Sequence, residues 1–352
     1  PFARHGVLVT SGLPPADAVL ATEGSLNNET GVPLTLLGLR PRHRFAVIEM
    51  GMRGLGQIDY LARLAEPDVG VVVNAGTAHV GLLGSTLAIA RGKSEIWAHL
   101  RPGGIAVHPH GDERLAALVA TRRPEARSVT FGEEPGATVR ISSVVSLGPG
   151  GSEAVLEVTG PDGQRRAFEC QVPLVGRHNT DNAACAIAVA LALGLDVEHA
   201  IRGVATARPS HHRSEVATLG GRNVLIDCYN ANPASMRAAV TTLAQLKGNA
   251  RGVAVLGDML ELGDAEETEH AQLGALLATH GIDDLVAMGE RSAHTARAAR
   301  KAGVSRVLET TDPDLAAQTL VTWTTTGDWI LVKASRGMRL EHVLASFEKA
   351  VA

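Results

Sequence analysis

The chain is poor in aromatic residues and cysteine and has no long apolar run. Of its 352 residues only 3% are aromatic, and its three cysteines, Cys170, Cys185 and Cys228, form no C-x-x-C pair. This spacing argues against a disulfide framework or a structural zinc site, so we expect buried or half-buried free thiols. No apolar stretch approaches the ~20 residues that span a bilayer, and no signal peptide is expected. The composition predicts a cytoplasmic protein without membrane insertion.

A strong excess of charge is also missing. The formal net charge is −4, with 20% charged and 45% hydrophobic residues, which is the composition of a soluble globular protein. Because there is no long basic run, nucleic acid and anionic membranes are poor candidates for the main partner. The length suits two domains of ordinary size, and we expect a monomer.

Short apolar strands alternate with helices in the first half of the chain. "RFAVIEM" (44–50) and "DVGVVVN" (68–74) predict strands buried on both faces of a parallel sheet, and 57–65 and 85–100 predict crossover helices. From 138 to 174 the period changes to that of an antiparallel β-meander with glycine-rich turns. A helix is predicted over 180–193, ending at Gly194.

After Arg208 and Pro209 the strand and helix alternation restarts. Strands are predicted in 222–230, 251–259, 283–289, 306–310 and 328–335, and helices at 233–246, 265–280, 291–302, 312–325 and 339–350. The expected fold class is therefore α/β, with two doubly wound domains over 1–207 and 208–352, the first carrying a small antiparallel meander insertion. In such sheets ligands bind outside the carboxyl ends of the strands.

Three side chains near predicted strand ends are candidates for chemistry. Glu49 follows the first strand, His79 lies in the loop after the second, and Lys93 follows Gly92. Gly92, Lys93 and Ser94 look like the end of a G-x-x-x-x-G-K-[ST] phosphate loop, but Leu87 stands where the first glycine is needed. Lys93 is therefore placed in a helix. Taken singly, each residue is typical of a structural or solvated position.

The order of these segments resembles the central ATPase domain of the Mur ligases, which join amino acids to a UDP-linked muramic acid. The segments are "AVIEMG", "NAGTAHVGLLGS" and "IARGKSEIW". The resemblance implies that Glu49 and His79 bind Mg²⁺, that ATP is used, and that Lys93 is carbamylated by CO₂. Carbamylation needs a neutral amine, so the lysine pKa has to be depressed, and it yields an anionic oxygen ligand suited to Mg²⁺.

Four longer strings narrow the resemblance to one branch of the family. They are "ATEGSLNNETGVPLTLLGL" (21–39), "CYNANPASMRAA" (228–239), "AVLGDMLELGDAEETEH" (254–270) and "VKASRGM" (332–338). They look like the branch that adds D-alanyl-D-alanine to UDP-N-acetylmuramoyl-tripeptide through an acyl phosphate. This implies a role in peptidoglycan biosynthesis, and through it in cell shape and division.

Matching positions carry further roles over from that branch. The resemblance implies nucleotide contacts at His178, Asn179, Arg213 and Asp227, of which Asp227 is also counted as catalytic, and substrate contacts at Asn27, Asn28, Tyr229, Asn230, Asn232, Lys333, Ser335 and Arg336. Alternatively, Asn179 or Thr180 caps the following helix, and the asparagines of the YNANP string only make a turn. Near Arg213 the sequence departs from the family, with His212 where glycine is usual.

One expected motif is missing. A Mur ligase carries a T-G-x-x-G-K-T phosphate loop and, before it, a UDP-binding domain, whereas "VTSGLPP" (9–15) has no Gly-Lys pair. Truncation and true loss both stay open. The alternatives are a catalytically inactive nucleotide- or substrate-binding fragment and a folylpolyglutamate-synthase-like ligase, against which the YNANP and LGDMLELG strings speak. The histidine pairs His108/His110 and His211/His212 lack further ligands at metal spacing and are expected to be solvated.

Overall fold

A computed structural model describes residues 16–76 and 85–352. Within these ranges the chain forms two compact units, one built from 16–76, 85–174 and 178–208 and the other from 175–177 and 209–352. In the described part of the chain, no helix combines the length and the apolar character needed to cross a membrane.

The first unit contains eight described strands and seven α-helices. The strands are β1 (Val19–Ala21), β2 (Phe45–Val47), β3 (Val69–Val71), β4 (Ile105–Pro109), β5 (Arg127–Gly132), β6 (Val139–Ser146), β7 (Ser152–Thr159) and β8 (Arg165–Val172). The helices are α1 (Gly31–Leu37), α2 (Gln57–Ala65), α3 (Thr86–Lys93), α4 (Glu95–Ala98), α5 (Glu113–Arg122), α6 (His178–Ala192) and α7 (Val197–Val204). The counts apply to the described residues only.

These strands form two sheets. β1 and β2 make a two-stranded parallel sheet, and β3 to β8 make a six-stranded sheet in sequence order. The meander is the edge of this larger sheet rather than a separate insertion, because β6 pairs in parallel with β5 and antiparallel with β7. The predicted helix over 85–100 is in fact two helices that meet at Ser94.

Close packing holds the larger sheet to its helices. The alanine-rich helix α6 is buried against it together with apolar residues of β4 to β8. On the other side the fully buried indole of Trp97 donates to the Gly70 carbonyl at 2.9 Å. A Cβ at Gly70 would lie 2.9 Å from the Trp97 ring, so this strand position requires glycine.

The second unit is a doubly wound α/β domain, as the sequence predicts. Its strands are β9 (Glu215–Leu219), β10 (Arg222–Ile226), β11 (Gly252–Gly257), β12 (Asp284–Met288), β13 (Arg306–Thr310) and β14 (Trp329–Lys333). Its helices are α8 (Pro233–Lys247), α9 (Glu266–Thr279), α10 (Ser292–Ala302), α11 (Pro313–Trp323) and α12 (Glu341–Val351). The strand order is β13-β12-β11-β14-β10-β9, parallel except for the antiparallel edge strand β9.

The two faces of this sheet are covered by separate apolar clusters, one against α8 to α10 and the other against α11 and α12. The central strands β11, β12 and β14 are buried along their whole length. Because β11, β14 and β10 are parallel neighbours, their carboxyl ends bring the segments after Gly257, Ile226 and Lys333 to one edge. The α/β fold class is confirmed in both units.

Candidate functional site

Glu49 is held in place two residues beyond β2. Its Oε1 accepts a hydrogen bond from Asn27 Nδ2 at 2.9 Å, and its backbone N–H donates to Thr22 Oγ1 at 2.9 Å. The Gly51 N–H donates to the Asn27 carbonyl at 2.7 Å. Asn27 therefore orients the carboxylate. Its neighbour Asn28 has a local role, because its Oδ1 accepts the N–H of Gly31 at 2.8 Å where α1 begins.

Lys93 is the last residue of α3, and the residue is half-buried. Nζ donates to the Asn74 carbonyl at 2.8 Å and lies 3.4 Å from Asn74 Oδ1, just beyond β3. Burial lowers the pKa of Lys93 from its usual value. A lysine that loses its proton more readily is the state that carbamylation requires. His79 lies outside the described residues.

The segment after Glu49 packs against α3, which ends at Lys93, and against α4, which follows it. A Cβ at Gly92 would lie 2.8 Å from Met52 Sδ, so the absence of a side chain there lets the loop approach α3. The buried carboxylate of Glu95 accepts the N–H groups of Gly56 at 2.8 Å and Asp59 at 3.1 Å. Carboxylates at a helix start satisfy its unpaired donors. Glu95, which the sequence analysis did not single out, thus ties α2 to the helix beside Lys93.

His178 and Asn179 begin the central helix α6. The helix starts at His178, and Asn179 and Thr180 lie in its first turn. Asn179 is buried, and its Oδ1 accepts from Asn182 Nδ2 at 3.1 Å. The buried Thr180 hydroxyl has no hydrogen-bond partner within 16–76 and 85–352.

Asp227 and Lys333 form a buried ion pair at the carboxyl ends of β10 and β14. Lys333 Nζ lies 2.6 Å from Asp227 Oδ2 and donates to the Asn230 carbonyl at 2.9 Å. Lys333 is only 1% exposed. The other carboxylate oxygen of Asp227 accepts the Ser214 N–H at 3.2 Å. In this conformation the Lys333 charge is directed at Asp227 and the loop backbone.

The remaining polar residues of this edge link three sequence strings. Ser335 Oγ accepts the Leu260 N–H at 3.0 Å and donates toward the Ala231 carbonyl at 3.5 Å. Asn232 caps α8, with its side chain accepting the Ser235 N–H at 2.9 Å, which gives it a structural role at the start of the helix. The loop after β10, the segment after β11 and the segment after β14 are therefore one hydrogen-bonded structure.

Arg213 and Arg336 differ in their surroundings. The Arg213 guanidinium lies over the Tyr229 ring, 4.1 Å from its centroid, as in a cation–π contact. Arg336 is largely exposed and pairs with Glu341, Nη1 to Oε1, at 2.9 Å. On either side of Arg213, His212 and Ser214 have φ of 58° and 48°, in the left-handed region. Non-glycine residues are uncommon there, and glycine adopts it freely.

Two other features of this unit were missed. Asp258 is 3% exposed and accepts both the N–H and the hydroxyl of Ser292 at 2.8 Å. The buried His270 ring accepts the Met259 N–H at Nε2, 3.1 Å away, and its Nδ1 lies 2.8 Å from the Glu266 carbonyl. Burial is the largest cause that lowers the pKa of His270. Asp258 belongs to the LGDMLELG string and His270 contacts Met259 within it, but the sequence gives no sign of which polar residues are buried.

The expectations for the histidine pairs and the thiols had different outcomes. All three cysteines are free and buried, as expected. The expectation that His108 is solvated is wrong, because it lies in β4, is 4% exposed, and packs edge-on against Trp97 with ring centroids 5.7 Å apart. His212 is half-buried and stacks on the exposed His211, with ring centroids 3.6 Å apart.

Comparison with known proteins agrees with this architecture. Residues 5–190 match the Mur ligase middle domain, and residues 212–336 match the Mur ligase glutamate ligase domain. The chain is 36% identical over 325 residues to UDP-N-acetylmuramoyl-tripeptide--D-alanyl-D-alanine ligase of Bacillus subtilis (strain 168), covering 92% of this chain and 68% of the relative. It is 38% identical to the enzyme of the same name from Synechocystis, covering 92% and 67%.

Solved structures give the same relationship. A crystal structure of MurF from Acinetobacter baumannii has a TM-score of 0.84 at 34% identity, covering 94% of this chain and 70% of that one. MurF ligase from Thermotoga maritima in complex with ADP has a TM-score of 0.82 at 28% identity, covering 95% and 74%. Folylpolyglutamate synthase of Mycobacterium tuberculosis, at 21% identity, shares the fold, with a TM-score of 0.69. The chain therefore belongs to the Mur ligase family, within its group of UDP-N-acetylmuramoyl-tripeptide--D-alanyl-D-alanine ligases.

Proposed function

We propose that this chain serves an ATP-dependent amide ligase that adds D-alanyl-D-alanine to UDP-N-acetylmuramoyl-tripeptide in cytoplasmic peptidoglycan precursor synthesis. The observation that carries the proposal is the hydrogen-bonded junction in which Ser335 contacts the Leu260 N–H and the Ala231 carbonyl. It unites the three C-terminal strings that resemble the D-alanyl-D-alanine-adding branch of the family.

The proposed reaction has two steps. The tripeptide carboxylate attacks the γ-phosphorus of ATP, and the bond from that phosphorus to the bridging oxygen breaks. The products of this step are an acyl phosphate and ADP. The amine of D-alanyl-D-alanine then attacks the acyl carbon, and the tetrahedral intermediate expels inorganic phosphate while the amine proton passes to solvent. Nucleotide contacts are assigned to His178, Asn179, Arg213 and Asp227, and substrate contacts to Asn27, Asn28, Tyr229, Asn230, Asn232, Lys333, Ser335 and Arg336.

Glu49, His79 and Lys93 are proposed to hold Mg²⁺. The donors fit a hard cation, since Glu49 offers a carboxylate fixed by Asn27 and a carbamylated Lys93 would offer a second anionic oxygen. When bound, Mg²⁺ supplies positive charge that neutralises the transferring phosphoryl group. The chain's own contribution is to lower the pKa of Lys93 by burial. The neutral amine can attack CO₂, forming a new N–C bond and releasing a proton to solvent.

Asp227 and Lys333 are proposed to shape the substrate loop. The buried Lys333 ammonium fixes Asp227 and the Asn230 carbonyl, which leaves the Asp227 carboxylate, with its side chain 16% exposed, as the accessible partner of the pair. Asn232 and Ser335 form hydrogen bonds that fix the backbone of the same loop. The Arg213 guanidinium packs on the face of the Tyr229 ring. Fixed donors and acceptors of this kind reduce the cost of ordering a bound polar ligand.

The test is a ligation assay with the full chain, ATP, Mg²⁺ and UDP-N-acetylmuramoyl-tripeptide. We expect phosphate release that requires D-alanyl-D-alanine, with the tripeptide converted to the pentapeptide product. Release that instead requires glutamate and a folate as the carboxylate substrate would support the folylpolyglutamate-synthase-like alternative. Nucleotide or dipeptide binding without ADP formation would support an inactive binding protein.

Two lysine variants test whether Lys93 is required for ligation. Lys93→Ala should abolish ligation with or without added bicarbonate, while Lys301→Ala, at an exposed lysine of the second unit, should leave it unchanged. Normal ligation by Lys93→Ala would remove the carbamate from the mechanism.

A further inference from the structure

The second unit brings together an imidazole, a thiol and a carboxylate that have no assigned role in the proposed ligation, although they lie beside residues that do. Ligand atoms of His212, Cys228 and Glu341 all lie within 4.8 Å of one another. The three residues come from the turn before β9, the loop after β10 and the first position of α12. Within 16–76 and 85–352 this is the one grouping of three such side chains at that spacing.

One ligand atom of this group lacks a partner. Glu341 Oε1 accepts from Arg336, whereas Glu341 Oε2 is shielded from solvent and has no hydrogen-bond partner among the described residues. Buried carboxylate oxygens without a partner are rare in native proteins, and a missing ion is one of the standard explanations. Cys228 is fully buried, and its sulfur lies within 4.8 Å of the ligand atoms of His212 and Glu341.

We propose that His212, Cys228 and Glu341 form a Zn²⁺ site. Nitrogen, sulfur and carboxylate oxygen are the ligands that Zn²⁺ takes in proteins, at about 2.0 to 2.3 Å, whereas a thiolate excludes Mg²⁺ as the preferred ion. In a tetrahedral site these bond lengths place ligand atoms ~3.5 Å apart, so modest side-chain rotation closes the observed spacing. On binding, the Cys228 S–H bond breaks, a Zn–S bond forms, and the proton passes to solvent.

The position of the site indicates what the ion would do. Cys228 lies between Asp227 and Tyr229, His212 is next to Arg213, and Glu341 begins α12. A bound ion would therefore tie the loop after β10 to a helix start and to the turn of left-handed residues. The inference does not depend on the ligase activity, because binding is measured without nucleotide or substrate.

Substitution of His212 can remove a proposed ligand without destabilising the fold. Its φ of 58° is one that glycine adopts without strain, so His212→Gly removes the ligand while easing the backbone. The metal-free variant should fold at least as well as the unchanged chain, which thermal unfolding checks. His211→Ala is the matched control, because His211 stacks on the His212 ring but has no place in the cluster.

The experiment uses the full chain after removal of metals by a chelator and dialysis. We expect one equivalent of Zn²⁺ to bind, and Co²⁺ to give a near-ultraviolet thiolate charge-transfer band that Cys228→Ser abolishes. His212→Gly and Glu341→Gln should each weaken Zn²⁺ binding by at least about tenfold. His211→Ala and Cys170→Ala, at a buried thiol of the first unit, should leave it unchanged.

Three results would overturn the assignment. They are a Co²⁺ spectrum without a thiolate band, Zn²⁺ binding that is equal in all variants, and a loss with His211→Ala as large as that with His212→Gly.

Discussion

Replacing Lys333 with methionine tests the buried ion pair that organises the second unit. Methionine keeps an unbranched apolar stem, one atom shorter than the lysine side chain, and removes the ammonium. The change deletes the contacts to Asp227 Oδ2 at 2.6 Å and to the Asn230 carbonyl at 2.9 Å. Asp227 would then keep the hydrogen bond from the Ser214 N–H, and its side chain is 16% exposed.

The loss of stability depends on how many favourable contacts the buried Asp227 carboxylate keeps after Lys333 is replaced. Breaking a buried pair by removing one partner costs about 3 to 5 kcal/mol, because the other charge stays buried. The partial exposure of Asp227 and the bond from Ser214 place this case at the low end, about 3 kcal/mol. For a domain of this size each kcal/mol lowers the melting temperature by roughly 2 to 4 °C, so the second unit should melt roughly 6 to 12 °C lower.

Tryptophan fluorescence during thermal and urea unfolding is a suitable assay, since Trp323 and Trp329 both lie in the second unit. Lys301→Met, at an exposed lysine, is the control and should change stability by less than about 0.5 kcal/mol. In a cycle with Asp227→Asn, the double variant should be more stable than the sum of the single effects by about 1 to 3 kcal/mol. A cost of Lys333→Met under about 1 kcal/mol, or no coupling, would refute the argument.

Three further predictions follow from other buried polar groups. Asp284→Asn should lower the free energy of unfolding of the second unit by about 2 to 4 kcal/mol in urea. The reason is that this fully buried carboxylate accepts hydrogen bonds from Arg251 Nε at 2.8 Å and from Arg306 Nε at 2.9 Å. An unchanged urea midpoint would contradict this prediction. The pKa of His270 in the folded chain is below its usual value, so the unfolded chain binds more protons as the pH falls through about 6.5 and the free energy of unfolding decreases below that pH. His270→Gln should therefore lose less stability than the unchanged chain between about pH 7 and about pH 5. An equal loss in both proteins would assign the effect to other groups. ¹³C-bicarbonate should give a carbamate resonance in NMR spectra that Lys93→Ala removes and Lys301→Ala retains; a resonance that survives Lys93→Ala belongs to another amine.

Much of the second unit could be predicted because each element carries its own signal. The strand at 306–310 was predicted at the bounds that the structure has, and α8 starts at Pro233 after the capping residue Asn232. Dense valine, leucine and isoleucine runs between turn residues leave few alternatives to a buried parallel strand. The polar residues that follow β10, β11 and β14 lie at one edge of the sheet, and their role as a site stays a prediction.

The first unit was harder to predict because its strands are short and mixed in composition. β4 and β5 contain histidine, proline, serine and threonine, and neither was predicted. His108 is buried because Trp97 and the Ser128 hydroxyl, 3.3 Å from Nε2, come to it from elsewhere in the chain. The break at Ser94 likewise depends on long-range contacts, since Arg122 Nε donates to the Ser94 hydroxyl at 2.8 Å.

The candidate site shows a second limit, which concerns what a polar residue does rather than where it lies. Sequence resemblance assigns substrate contacts to Asn232, Ser335 and Lys333. In the structure all three also form hydrogen bonds with the backbone of the proposed substrate loop and its neighbouring segments. A side chain that fixes a loop and one that contacts a substrate leave the same mark on a sequence motif, because loss of either disrupts the site. They differ energetically. Substitution of a loop-fixing residue lowers the free energy of unfolding in the absence of substrate, whereas substitution of a residue that only contacts the substrate leaves stability unchanged. Unfolding measurements on the substrate-free chain therefore separate the two roles before any activity is measured.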